Sequence, residues 1–214
     1  YYHSVDVEKY MNGSSEVSVK KFDKGWFFDG AGEEKALIFY PGAKVATEAY
    51  APLMYQLAES GIDCFLVDMP FHMAFFGMNR AEEIMQEYNY EVWYLGGHSL
   101  GGAMAANFAA DYVEDHTDGI RGLLLLAAYP TKDLSTSDMS VVTVYGSEDD
   151  VLNMDKIVAG RELMPQDYKE VCIEGGNHAQ FGSYGAQKGD GTAAIPAEEQ
   201  WARTVEVFVG DESE

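Results

Sequence analysis

The feature that most restricts the fold is a set of short runs that are apolar from end to end: Leu37-Ile38-Phe39, Cys64-Phe65-Leu66-Val67 and Leu123-Leu124-Leu125-Leu126. A strand with one face in water alternates apolar and polar residues, whereas a strand covered on both faces has no such alternation. These runs therefore require a sheet with helices on both sides. Longer stretches of helical pattern lie between them, and this alternation predicts βαβ units and a mostly parallel sheet. Strands are predicted at 17–21, 26–29, 36–40, 63–68, 92–97, 121–127, 141–145 and 169–173. A short polar turn separates the first two, which suits an antiparallel hairpin. Helices are predicted at 47–59, 80–87, 100–113, 154–163 and 197–207, the first capped by Thr47 and tolerating Pro52 only near its start. Residues 1–214 contain no repeat and no linker, so one domain is expected.

Charge narrows the partners. With 14 basic and 36 acidic residues the formal net charge is −22, and the acidic groups are spread along the chain. Such a field repels phosphate backbones and anionic lipid surfaces, so neither nucleic acid nor membrane contact is expected of this chain. No run approaches the ~18 apolar residues that a membrane-spanning helix needs. Cys64 and Cys172 each lie in an apolar predicted strand and lack the close spacing of a zinc site, so both are expected to be buried small hydrophobes.

The chemistry centres on Gly96-Gly97-His98-Ser99-Leu100-Gly101-Gly102, which contains G-x-S-x-G. Here the pattern follows a predicted strand and opens a helical run rich in alanine, the setting in which it marks a nucleophile. On so sharp a turn, side chains two residues to either side of the serine would collide, and Gly97 and Gly101 remove them. His98 sits on the same turn and points elsewhere. A serine hydroxyl needs a base to take its proton. His178, in Gly175-Gly176-Asn177-His178 just past the last predicted strand, is the candidate. His3 and His116 lie away from strand ends, and His72 precedes Ser99 in the chain. An acid to orient the base follows the strand at 141–145, where Glu148, Asp149 and Asp150 are adjacent; Asp149 is preferred over Asp150. Two backbone N–H groups should bind an oxyanion: that of Leu100, after the nucleophile, and that of Ala43, after Gly42. Pro41 has no N–H to give. No metal or organic cofactor is required by this chemistry.

These motifs resemble the α/β-hydrolase superfamily over essentially the whole chain. The residues that carry the resemblance are Phe39-Tyr40-Pro41-Gly42-Ala43-Lys44-Val45, the serine turn, Tyr145-Gly146-Ser147-Glu148-Asp149 and His178-Ala179-Gln180-Phe181-Gly182. Small, lidless bacterial members related to dienelactone hydrolases are the most similar type, although Ser99 stands where true dienelactone hydrolases carry a cysteine. The resemblance implies an eight-stranded sheet whose second strand is antiparallel. It places Cys64 and Cys172 on opposite sides of the central strands, too far apart to bridge. It also implies a bacterial protein that is either cytoplasmic or held outside the cytoplasm by an N-terminal anchor preceding Tyr1. Only a short polar segment separates Ala127 from Val141, where larger relatives insert a lid, so an open site for small or soluble esters is expected. Phe71, His72, Phe75, Phe76, Tyr129 and Phe181 are candidate pocket residues. The glycine-rich segment 180–190 either shapes the leaving-group side or is a long surface loop. Ester hydrolysis is the leading expectation. Acyl transfer by the same residues, or an inert binding module on the same scaffold, are the alternatives, and the oligomeric state is left open.

Overall fold

A computed structural model describes residues 1–116 and 119–211. Its strands are β1 (Ser18–Phe22), β2 (Gly25–Asp29), β3 (Lys35–Tyr40), β4 (Asp63–Val67), β5 (Val92–His98), β6 (Ile120–Leu126), β7 (Ser140–Gly146) and β8 (Tyr168–Ile173). They form one eight-stranded sheet in the order β1-β2-β4-β3-β5-β6-β7-β8. Only β2 runs antiparallel to its neighbours; every other pairing is parallel. The helices are α1 (Glu8–Met11), α2 (Ala51–Glu59), α3 (Arg80–Glu87), α4 (Leu100–Asp115), α5 (Met154–Gly160) and α6 (Ala197–Asp211).

The all-apolar runs divide by the strand period of two. Leu37, Phe39, Cys64, Leu66, Leu124 and Leu126 pack with Leu53 and Leu57 of α2 and Trp201 and Phe208 of α6. Ile38, Phe65, Val67, Leu123 and Leu125 pack on the other face with Ile84 of α3 and Ala105, Phe108 and Ala109 of α4. Each fully buried Leu or Phe of this kind contributes roughly 1.5–3 kcal/mol, which fixes both layers against the sheet. The parallel register then brings the carboxyl ends of β3, β5, β7 and β8 to one rim, where open α/β sheets gather functional groups. No strand or helix interrupts the stretch between β6 and β7, so no lid covers that rim. No described helix is long and apolar enough to cross a membrane.

Three expectations need correction. The helix predicted at 47–59 is a 3-10 turn over Thr47–Tyr50 followed by α2, and the Thr47 side chain caps neither. Starting α2 at Ala51 keeps Pro52 in the first turn, where its missing N–H is not needed. The helix predicted at 154–163 likewise ends at Gly160 and continues as a 3-10 turn, Arg161–Leu163. Cys64 is buried, but Cys172 is exposed. Strand β8 is the sheet edge, so part of its surface faces water. Both cysteines are free and lie on opposite sides of the central strands.

Candidate active site

Ser99 is the single residue between β5 and α4, and its backbone is strained, with φ 54° and ψ −122°. Non-glycine residues rarely hold this conformation unless their surroundings impose it. Here its N–H donates to the Leu126 carbonyl at 2.8 Å, and its carbonyl accepts from Ala103 N–H at 3.1 Å. The glycines leave no room for anything larger. A Cβ on Gly97 would lie 2.5 Å from the Gly101 carbonyl carbon, and one on Gly101 would lie 2.1 Å from the Tyr40 oxygen. Ser99 is partly exposed at the N-terminus of α4, whose first N–H groups, Leu100 among them, have no intrahelical partner.

His178 and Asp149 meet next to the turn that carries Ser99. Asp149 Oδ2 lies 2.8 Å from His178 Nδ1, and the two side chains are only 1% and 2% exposed. Asp149 Oδ1 accepts from the N–H groups of Val151 at 2.9 Å and Leu152 at 2.8 Å, so the carboxylate is fixed at both oxygens. Of the three adjacent acids the structure brings Asp149 to the imidazole, while Glu148 and Asp150 are exposed. With Nδ1 engaged, Nε2 is the nitrogen left for proton transfer. The imidazole of His178 lies 4.5 Å, centroid to centroid, from that of His98, the residue preceding Ser99.

The glycine-rich segment after His178 folds back as a clasp. Asp190 accepts from the N–H groups of His178 at 3.3 Å, Ala179 at 2.8 Å and Gly191 at 2.9 Å. Gln200, fully buried on α6, accepts from Asn177 N–H at 3.0 Å and returns its own amide N–H to the Asn177 carbonyl at 2.8 Å. Sequence reasoning missed both supports. One signal was available for Gln200: with Thr204 and Phe208 it occupies the buried stripe of α6, where a glutamine needs a specific partner.

The loop after β3 presents one unengaged N–H. Gly42 N–H donates to the Tyr50 hydroxyl at 3.0 Å, and Lys44 N–H donates to the His72 carbonyl at 2.8 Å. Ala43 N–H, between them, makes no hydrogen bond to any described residue. His98 does point elsewhere than Ser99: it is buried, with Nδ1 2.7 Å from the Tyr50 hydroxyl.

The remaining pocket candidates separate. Phe71, Phe75 and Phe76 are 83%, 67% and 59% exposed, and Phe76 meets each of the other two edge to face. His72 is half-buried, lies tilted against the Tyr1 ring and joins these aromatics to the Gly42–Lys44 loop through its carbonyl. Tyr129 is half-buried after β6. Phe181 is fully buried, 5.7 Å from the His98 ring, so it packs beneath the site and not on an open wall.

A family model described as "Alpha/beta hydrolase family" matches residues 36–202. No curated protein matches the sequence. Among solved structures, a putative hydrolase from Agrobacterium vitis superposes with a TM-score of 0.66 at 13% identity, covering 91% of this chain and 98% of its own. Carboxyl esterase 2 from the fungus Tuber melanosporum gives 0.66 at 14% identity, with 92% and 87% covered. A carboxylesterase from Bacillus subtilis gives 0.59 at 7% identity, with 95% and 96% covered. At such identities the likeness concerns the fold.

Proposed function

Given that the chain belongs to the alpha/beta hydrolase family, we propose that it is a serine hydrolase that cleaves carboxylic esters through an acyl-enzyme. The observation that carries this reading is the buried Asp149–His178 pair beside the strained Ser99 turn. Ser99 Oγ bonds to the ester carbonyl carbon as His178 Nε2 takes its proton. Asp149 holds the imidazole and offsets the charge it gains. The N–H groups of Ala43 and Leu100 bind the oxyanion. Collapse breaks the bond to the alkoxy oxygen, which leaves with the proton from His178. Water then attacks the acyl group, giving a proton to His178; the acid departs and Ser99 Oγ recovers that proton.

The unlidded rim favours small or soluble esters. The exposed Phe71, Phe75 and Phe76, joined to the Ala43 loop through His72, favour an apolar or aromatic group on one side of the ester. The test is hydrolysis of short-chain p-nitrophenyl esters by the wild type and by Ser99→Ala, with fluorophosphonate labelling of both. Turnover and labelling that vanish in the variant support the reading. A wild type that neither turns over nor labels overturns it and favours an inert binding module. Faster release of p-nitrophenol with added alcohol, together with a transesterified product, favours acyl transfer.

A further inference from the structure

His98 is hard to explain as a neighbour of Ser99 alone. It is 1% exposed, and its Nε2 lies near the His178 backbone without completing a hydrogen bond of good geometry among the described residues. Burying an imidazole with one nitrogen unpaired costs stability, and an apolar residue would avoid that cost. What the ring does make is one short bond, 2.7 Å, to the hydroxyl of Tyr50, which is itself fully buried.

The direction of that bond follows from its other partner. The Tyr50 oxygen already accepts Gly42 N–H at 3.0 Å, and its own single proton needs an acceptor, which His98 Nδ1 provides. His98 is then the neutral tautomer with its hydrogen on Nε2. Its burial first, and the nearness of His178 second, hold its imidazole well below the usual histidine range. A neutral His98 adds no repulsion when the neighbouring His178 becomes charged. The chain of bonds therefore runs from the residue before Ser99, through Tyr50, to the Pro41–Gly42 peptide, next to the one that carries Ala43 N–H. The fit is close: a Cβ on Gly42 would lie 2.8 Å from both His98 Nδ1 and the Tyr50 hydroxyl oxygen.

We propose that Tyr50 and His98 are positioning residues that lock the Pro41–Gly42 peptide to the serine turn, and so set the oxyanion-binding N–H of Ala43, in the adjoining peptide, in register with Ser99. This rests on the ester-hydrolase reading and adds a part to it. Neither residue touches substrate. Their effect belongs to the transition state, since the oxyanion exists only once Ser99 has attacked.

The experiment compares Tyr50→Phe, His98→Leu, His98→Asn and the Tyr50→Phe/His98→Leu double variant in p-nitrophenyl acetate hydrolysis. Losing one oxyanion donor costs about 10²–10³ in kcat, and a misplaced donor should cost about 10–100-fold. Tyr50→Phe and His98→Leu are expected to lower kcat by that factor with KM within about threefold, and to weaken inhibition by a boronic acid, which mimics the tetrahedral state, in proportion. Asparagine places an acceptor where Nδ1 stands, so His98→Asn should recover most of what His98→Leu loses. The double variant should lose no more than the worse single one, because both break the same bond chain. Unchanged kcat in Tyr50→Phe, losses that multiply in the double variant, or His98→Asn as poor as His98→Leu would each overturn the proposal. Should Tyr50→Phe fail to fold, the His98 pair decides alone. Hydrogen exchange of the 41–46 segment provides a readout independent of turnover. If the wild type shows no Ser99-dependent hydrolysis, the ester reading fails, and faster exchange there in Tyr50→Phe still supports the lock, whereas unchanged exchange overturns it.

Discussion

The base of the site and its rim are built in opposite ways. At the base, Asp149 is held at both oxygens, Asp190 caps the His178 loop, and Gln200 exchanges two hydrogen bonds with Asn177. At the rim, Phe71, Phe75 and Phe76 expose most of their surface and touch chiefly one another. Both regions contain strained backbone: Ser99 at φ 54° below, Phe71 at 55° and His72 at 54° above. Around Ser99 the strain is enclosed by glycines and hydrogen bonds, while above it surrounds exposed rings. A base that cannot relax suits a reaction whose charges must meet fixed dipoles. A rim of exposed aromatics suits recognition of whatever the base then cleaves. Substitutions at the base should therefore act on kcat and stability, and substitutions at the rim on substrate preference.

The largest effect should come from the acid. Asp149→Asn keeps the shape of the side chain but lets the wrong imidazole tautomer form, and kcat is expected to fall by about 10³–10⁴-fold. Asp150→Asn, one residue on and exposed, should change kcat less than about twofold. Steady-state kinetics on p-nitrophenyl acetate distinguishes the two, and equal losses would mean that the pair at His178 is not the working one.

Next is the clasp. Asp190→Ala strips an acceptor from the N–H groups of His178 and Ala179, at the start of the turn that carries the imidazole, and from that of the neighbouring Gly191. Loss of such a cap costs about 1–2 kcal/mol, read as a lower urea midpoint. The loosened loop should lower kcat about tenfold, because the imidazole is no longer held in line. A stability loss with unchanged kcat would make the clasp a folding device only.

The pH dependence of stability tests the enclosure of His98. Folded, its imidazole stays neutral well below the usual range; unfolded, it takes a proton near the ordinary value of about 6.5. The unfolded chain therefore binds the extra proton, so this contribution is present above about pH 6.5 and is lost as pH falls, at up to ~1.4 kcal/mol per unit. His98→Asn should flatten the difference in urea midpoints between pH 7 and pH 5.5. Parallel curves for the two proteins would place His98 in contact with water.

What could be seen in the sequence divides along the same line. Every strand was legible, because a sheet covered on both faces imposes continuous apolar runs such as Leu123–Leu126, and the serine turn was legible because close packing demands glycines at fixed places on either side of Ser99, Gly97 against Gly101 and Gly101 against the Tyr40 carbonyl. Cys172 misled because Val171-Cys172-Ile173 looks the same at a sheet edge as at its centre; only the strand order separates the two. Tyr50, Asp190 and Gln200 were not recognised since their partners are set by tertiary packing: Tyr50 reaches His98 across 48 positions, and Gln200 reaches Asn177 across 23. Phe71, Phe75 and Phe76 read as pocket aromatics or core alike, and only their exposure separates them from Phe181, which is core.

The smallest change in stability should follow substitution at the rim. Phe71→Ser, Phe75→Ser and Phe76→Ser each remove a ring already largely in water, so the unfolding free energy read from urea titration should change by no more than about 0.5 kcal/mol per site. The ring still matters to a ligand. An aromatic pair contributes about 0.5–1.5 kcal/mol beyond its buried area, which corresponds to a two- to tenfold change in kcat/KM for an ester with a phenyl group set against these side chains. p-Nitrophenyl acetate, whose acyl group carries no ring, is the reference against which the acyl-side ring is read. The informative quantity is thus the ratio of kcat/KM for phenylacetate and acetate esters in each variant. A ratio that falls while stability and acetate turnover hold would assign selectivity to the rim and chemistry to the base. A ratio that stays constant while both rates fall together would show that the aromatics brace the Ala43 loop through His72, and the separation between rim and base would be lost.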